Sequence, residues 1–185
     1  MLLAGLGFLI AVAGYVFLRN AARKDGPERR ARLRAALARL AQAHRLELAG
    51  DVALGTVDNV DVRLELGTHG FFFDGDMTLL MRCPEGVRFV MWPRDPPDAV
   101  VDSLIERGTG DPVFDARYAM FVAKSEATSM LDPETRRRAL DLGLIAVVLR
   151  SSEAALLFPG VPSDDAFPEA VEILTRVMAN IETVA

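Results

Sequence analysis

Residues Leu2–Leu18, LLAGLGFLIAVAGYVFL, run for seventeen positions without a charge, and no other feature restricts the fold as strongly. As a helix rising 1.5 Å per residue, the run is about 25 Å long, near the lower bound for a hydrocarbon layer of roughly 30 Å. Ten of its residues are Leu, Ile, Val or Phe, which favours insertion, and Arg19 can snorkel to the headgroups. The expectation is a transmembrane helix over 1–18. A cleaved secretory signal is the competing reading, because Ala11-Val12-Ala13 imitates a cleavage site. Against it, no Lys or Arg precedes the run.

The positive charge lies on the other side. Residues 19–40 carry eight basic groups against Asp25 and Glu28, a net +6. Basic flanks stay in the cytoplasm, so the expected topology is a bacterial inner-membrane span with its N-terminus outside and the head inside. Arg19, Arg23, Lys24, Arg29 and Arg30 are the expected contacts to anionic lipid headgroups. Ala4, Gly7, Ala11 and Gly14 share one helix face, a small-residue stripe compatible with a homodimer. With the whole chain at −5, the remainder carries −11. A globally basic nucleic-acid binder is therefore excluded.

After the breaker Asp25-Gly26-Pro27, Glu28–Leu46 reads as an amphipathic stalk helix, closing the segment 19–45. Its stripe of Leu33, Leu37 and Leu40, extended by His44, has three possible seats: a membrane, a second copy or the head itself. From 46 to 185 the pattern is that of an α+β head. Val60–Leu66 alternates as a half-exposed strand, and Phe71-Phe72-Phe73, Asp74-Gly75 and Met77–Met81 read as a type I′ hairpin. Val87–Trp92 extends this to an antiparallel meander of four or five strands. Beyond it the expected order is a helix over Ala99–Arg107 ended by Gly108, then a strand over Val113–Val122. A helix from Asp132-Pro133 to Gly143 and a hairpin of Leu144–Arg150 with Ala154–Phe158 follow, then a helix near Pro168–Thr183. Strands run ahead of helices, so the sheet should be mainly antiparallel.

Catalytic patterns are sparse. One cysteine, Cys83, excludes an intrachain disulfide, and two histidines, His44 and His69, exclude a three-histidine zinc site. Gly108-Thr109-Gly110-Asp111 has no lysine to reach a phosphate. Asp74-Gly75-Asp76 lacks the later acids of a calcium loop. A Cys83 nucleophile would need His69 as its base. No metal or cofactor is expected. Phe71, Phe72 and Phe73 cannot all face one side of a strand, so they are candidates for partner binding. Asp115 and Arg117, same-face neighbours on the expected strand, are candidates too. Arg136-Arg137-Arg138 reads as a solvated helix surface.

Gly108–Tyr118 (GTGDPVFDARY) followed by Leu131–Leu140 (LDPETRRRAL) resembles a block of uncharacterised bacterial membrane-anchored proteins, loosely of the DUF3137 type. In that block a GDPxFD strand leads to an LxPE helix. The resemblance implies a single-pass membrane protein and carries over no activity or catalytic residue. The functional expectation is a membrane-anchored, non-enzymatic protein whose head binds a protein partner or scaffolds a complex. Two alternatives stand beside it: a domain for a lipid or small hydrophobe, and an enzyme using Asp115, Arg117 or Cys83 with His69.

Overall fold

A computed structural model of the chain describes residues 26–67, 76–85, 87–93, 96, 98–123, 131–144, 146–150 and 152–182. The chain enters through helix α1 (26–43). The end of α1 is set by hydrogen bonding: Leu46 N–H donates to Ala41 O at 2.8 Å and Arg45 N–H to Gln42 O at 3.3 Å. That pair of bonds is a Schellman stop, and it requires a left-handed residue, here Arg45 at φ 56°. Leu37, Leu40 and Ala41 are buried in the main core. The expected stalk is thus docked on the head.

Nine strands follow among the described residues: β1 (Glu47–Ala49), β2 (Val52–Val57), β3 (Val60–Leu66), β4 (Met77–Arg82), β5 (Phe89–Pro93), β6 (Ile105–Arg107), β7 (Tyr118–Val122), β8 (Ala146–Arg150) and β9 (Glu153–Phe158). They form one antiparallel sheet in the order β1-β2-β3-β4-β9-β8-β5-β7-β6. Asp58 and Asn59, both with positive φ, make the two-residue turn between β2 and β3. The expected meander therefore stops at β4. Its other edge is taken by β9, and β8 then separates β9 from β5. The physical reason is composition: Ala146–Leu149 and Ala154–Phe158 are unbroken apolar runs and Met77–Met81 is interrupted only by Thr78, so all three need cover on both faces and occupy the centre.

Four more helices follow among the described residues: α2 (Asp98–Val101), α3 (Pro112–Arg117), α4 (Pro133–Leu142) and α5 (Ala166–Glu182). One face of the sheet carries Leu64, Leu79, Leu156 and Met91, packed with Leu37 of α1, Phe114 of α3, Ala139 of α4 and Leu174 of α5. The opposite face buries a second apolar block, including Leu80, Ala155, Val148, Val90 and Phe121, against Val100, Val101 and Leu104.

Three expectations are corrected. The helix over Ala99–Arg107 is only α2, because Ser103 takes a left-handed turn at φ 63° and Ile105–Arg107 pairs with β7. The strand over Val113–Val122 begins at Tyr118. Before it, Asp111 caps α3 by accepting from Val113 and Phe114 N–H, with Pro112 at the first helical position. The fold expected to include a transmembrane helix is corrected as well. Among the described residues no helix is long and apolar enough to cross a membrane, and Leu2–Leu18 lies outside those residues, as does the Phe71–Gly75 arm of the expected hairpin.

Candidate functional site

The densest polar cluster joins α3 to α4, and its residues come from the two halves of the Gly108–Tyr118 and Leu131–Leu140 block. Asp115 accepts from Thr109 N–H at 3.0 Å, Thr109 Oγ1–H at 2.8 Å and Gly110 N–H at 3.1 Å. Burial pushes the Asp115 carboxyl up, but these bonds and the nearby Arg136 charge together outweigh it, holding the group below the usual carboxylate range. Arg136 donates to Leu131 O at 2.6 Å and lies 3.5 Å from Asp111 Oδ2. Arg117 reaches Leu140 O at 3.4 Å, at the carbonyl end of α4, and its guanidinium stands 5.4 Å from the Tyr118 ring centre. Tyr118 Oη–H donates to Leu144 O at 2.7 Å; burial pushes this phenol up.

The cluster is a staple. Asp115 and Arg117 do not share a strand face: they sit two apart on a short helix, where neighbours diverge, and each is bonded within the chain. Asp132 acts in the same way, accepting from Thr135 N–H at 2.9 Å and Thr135 Oγ1–H at 2.8 Å to start α4. Arg138 links Glu134 and Glu172, at 2.6 and 2.5 Å, and so ties α4 to α5.

Of the arginines expected at lipid headgroups, Arg29 is 2.5 Å from Asp76, and Arg30 is 2.5 Å from Asp51, which also pairs with Arg34. Those two guanidinium groups hold the Asp51 carboxyl far below its usual range. Arg19, Arg23 and Lys24 lie outside the described residues, as do His69, Phe71, Phe72 and Phe73. Cys83 is buried, and its thiol is pushed up first by desolvation and then by Glu153, which disfavours the nucleophilic thiolate. His44 lies against Phe167, edge to face at 4.9 Å, with Nε2 3.2 Å from Asp164 O.

The exposed large apolar side chains lie elsewhere. Among the described residues they are Leu48, Leu54, Ile105 and Val113. Leu48 is on β1 and Ile105 on β6, the two edge strands of the sheet. Sequence reasoning resolved neither as a separate strand. Each strand has three residues, too few to show alternation, and each runs on from neighbouring apolar residues, Leu46 before Glu47-Leu48 and Leu104 before Ile105. The second sheet face was also missed, although the nearly continuous apolar runs of β4, β8 and β9 announced it.

No protein-family model matches the chain, and no curated protein matches it. Among solved structures, the fold is similar to the crystal structure of the mycobacterial trehalose monomycolate transport factor A, TtfA, with a TM-score of 0.51 and 9% sequence identity over 70% of each chain.

Proposed function

We propose that this protein is a non-enzymatic binding module whose α+β head takes an extended segment of a protein partner along the β6 edge. The observation that carries this reading is Ile105, 48% exposed on a strand that, among the described strands, pairs with β7 alone. An open edge offers main-chain hydrogen bonds, and an apolar side chain on it supplies a contact for alternate partner residues. Glu106, the exposed central residue of β6, selects a basic residue opposite it.

The use of the other ionisable groups supports a binding role. Asp111, Asp115, Asp132, Glu134 and Glu172 stabilise helix starts, a loop and a helix pair. The likeness to TtfA contributes the fold alone; that the similar protein is described as a transport factor agrees with a role in binding.

A photo-crosslinking amino acid at Ile105, in the full chain expressed in its own cells, should give a discrete heavier adduct with a different polypeptide. The same probe at Arg137, exposed on α4, should not, and Glu106→Lys should abolish the Ile105 adduct. An Ile105 probe that gives the same products as the Arg137 probe would refute the reading.

A further inference from the structure

The second sheet face ends in charge rather than in apolar side chains. The last rung shared by β4, β9 and β8 pairs Arg82 with Glu153 and Glu153 with Arg150, and all three are exposed. Opposite residues of an antiparallel pair point to the same face, and each of these lies two residues from a member of the second apolar block, Leu80, Ala155 and Val148. Arg88 extends the rung, one step past the Phe89–Leu149 pair of β5 and β8. Ala123 N–H donates to Arg88 O at 3.3 Å, so the ladder with β7 runs on through this residue. The Arg88 side chain donates from Nη2 to Asp102 O at 2.8 Å, in the turn after α2.

Across four neighbouring strands the rung therefore reads Arg82, Glu153, Arg150, Arg88. Three guanidinium groups and one carboxylate give it a net +2, on a chain that carries −11 beyond residue 40. Glu153 stands between Arg82 and Arg150 and compensates one of them. Arg150 and Arg88 are then like charges about 5 Å apart at Cβ, an arrangement that disfavours the unliganded sheet. Neither Arg82 nor Arg150 has an ion pair or side-chain hydrogen bond among the described residues, and Arg88 bonds a neutral carbonyl. The acid next in line is Asp61, beyond the last β3–β4 pair of Arg63 with Leu80, where it accepts from Thr56 Oγ1–H at 3.1 Å.

We infer that Arg150 and Arg88 form a binding site for a phosphomonoester group, whose oxygens bridge the two guanidinium groups while Arg82 balances Glu153. Charge decides the class of ligand. A phosphomonoester carries about −2 near neutral pH and cancels the charge of the rung, whereas a carboxylate or a phosphodiester leaves half of it. Its three oxygens also suit the planar donor forks of two arginines at once. The acidic remainder of the head favours a small soluble phosphoester over an anionic surface, which it would repel. The site shares no residue with the β6 edge, and its ligand is of another class.

Titration of the full chain, in nonionic detergent micelles, with glycerol 3-phosphate tests it, read by NMR from the side-chain Nε–H signals of the arginines. Those of Arg88 and Arg150 should shift together and saturate. That of Arg137, exposed and paired with Asp141 on α4, should not move. Arg150→Gln should weaken binding by about tenfold, and Glu153→Gln should strengthen it severalfold because the competing carboxylate is gone. Both positions are exposed, so either change is compatible with folding. Dimethyl phosphate, a monoanion, should bind about tenfold more weakly than glycerol 3-phosphate. Vesicles containing phosphatidic acid, which present the same group on a surface, should compete poorly for the two arginines. Arg88 and Arg150 signals that move no further than that of Arg137, equal binding of the monoanion and the dianion, or a Glu153→Gln chain that binds no tighter would each overturn the inference. Vesicles that compete better than the soluble ester would overturn its soluble source.

Discussion

Asp115 shows how much a single carboxylate does in this fold. It gathers two backbone N–H groups and one hydroxyl from the loop between β6 and α3, of which the two from Thr109 are part-buried. Hydrogen bonds to a charged acceptor are each worth about 1.5–3 kcal/mol in such settings. Asp115→Ala should destabilise the head by about 2 kcal/mol, read from chemical denaturation at neutral pH. The pH dependence follows from the direction of its shift. A carboxyl held below its ordinary value contributes stability that is fully present above about pH 4 and fades as acid protonates the folded state. The difference between variant and unaltered protein should therefore shrink below pH 4. A difference that stays constant down to pH 2 would mean that the carboxylate charge contributes nothing. None of this was legible in the sequence, where Val113–Val122 alternates well enough to pass for one strand. The capping power of Asp111-Pro112 overrides that alternation, and the residue pattern gives no weight to a bond made back to Thr109.

At the scale of elements, legibility divides by how local the cause is. The α4 helix starts at Asp132-Pro133 and ends at left-handed Gly143, and both signals stand in the chain itself. So do the alternation of β3 and the turn of the β8–β9 hairpin. The end of α1 is different, because a bulky residue stands where a glycine usually does. Arg45 is held left-handed by the two closing bonds of the helix, a conformation that disfavours a side chain by about 1 kcal/mol. Arg45→Gly should raise head stability by about that amount in a thermal or urea titration. Loss of stability would show instead that the Arg45 stem contributes packing worth more than the strain.

For the molecule as a whole, the decisive feature is the one that local patterns could not reveal. The sheet is assembled from a meander that ends at β4 and a second group that begins at β5. The hairpin that joins them, β8–β9, comes after both in the chain. Before that hairpin arrives, β4 and β5 each lack a neighbour, and Leu79, Leu80, Val90 and Met91 lack the cross-strand partners that bury them. Apolar runs show that β4, β8 and β9 must be central, but not which edges they join, because pairing across some seventy residues leaves no trace in spacing. The long-range closure makes β1–β9 one cooperative unit rather than two small sheets, and slow to form. A chain truncated after Gly143 should therefore lose its cooperative unfolding transition entirely, while Leu156→Ala in the intact chain should lower a single transition by about 2–5 kcal/mol. Hydrogen exchange followed by mass spectrometry checks the same point from the other side. Peptides from β4, β5, β8 and β9 should exchange together at the slowest rate, with β1 and β6 opening earlier. Two separated slow classes, one for β2–β4 and one for β5–β7, would mean that the two groups fold independently and that the hairpin only bridges them.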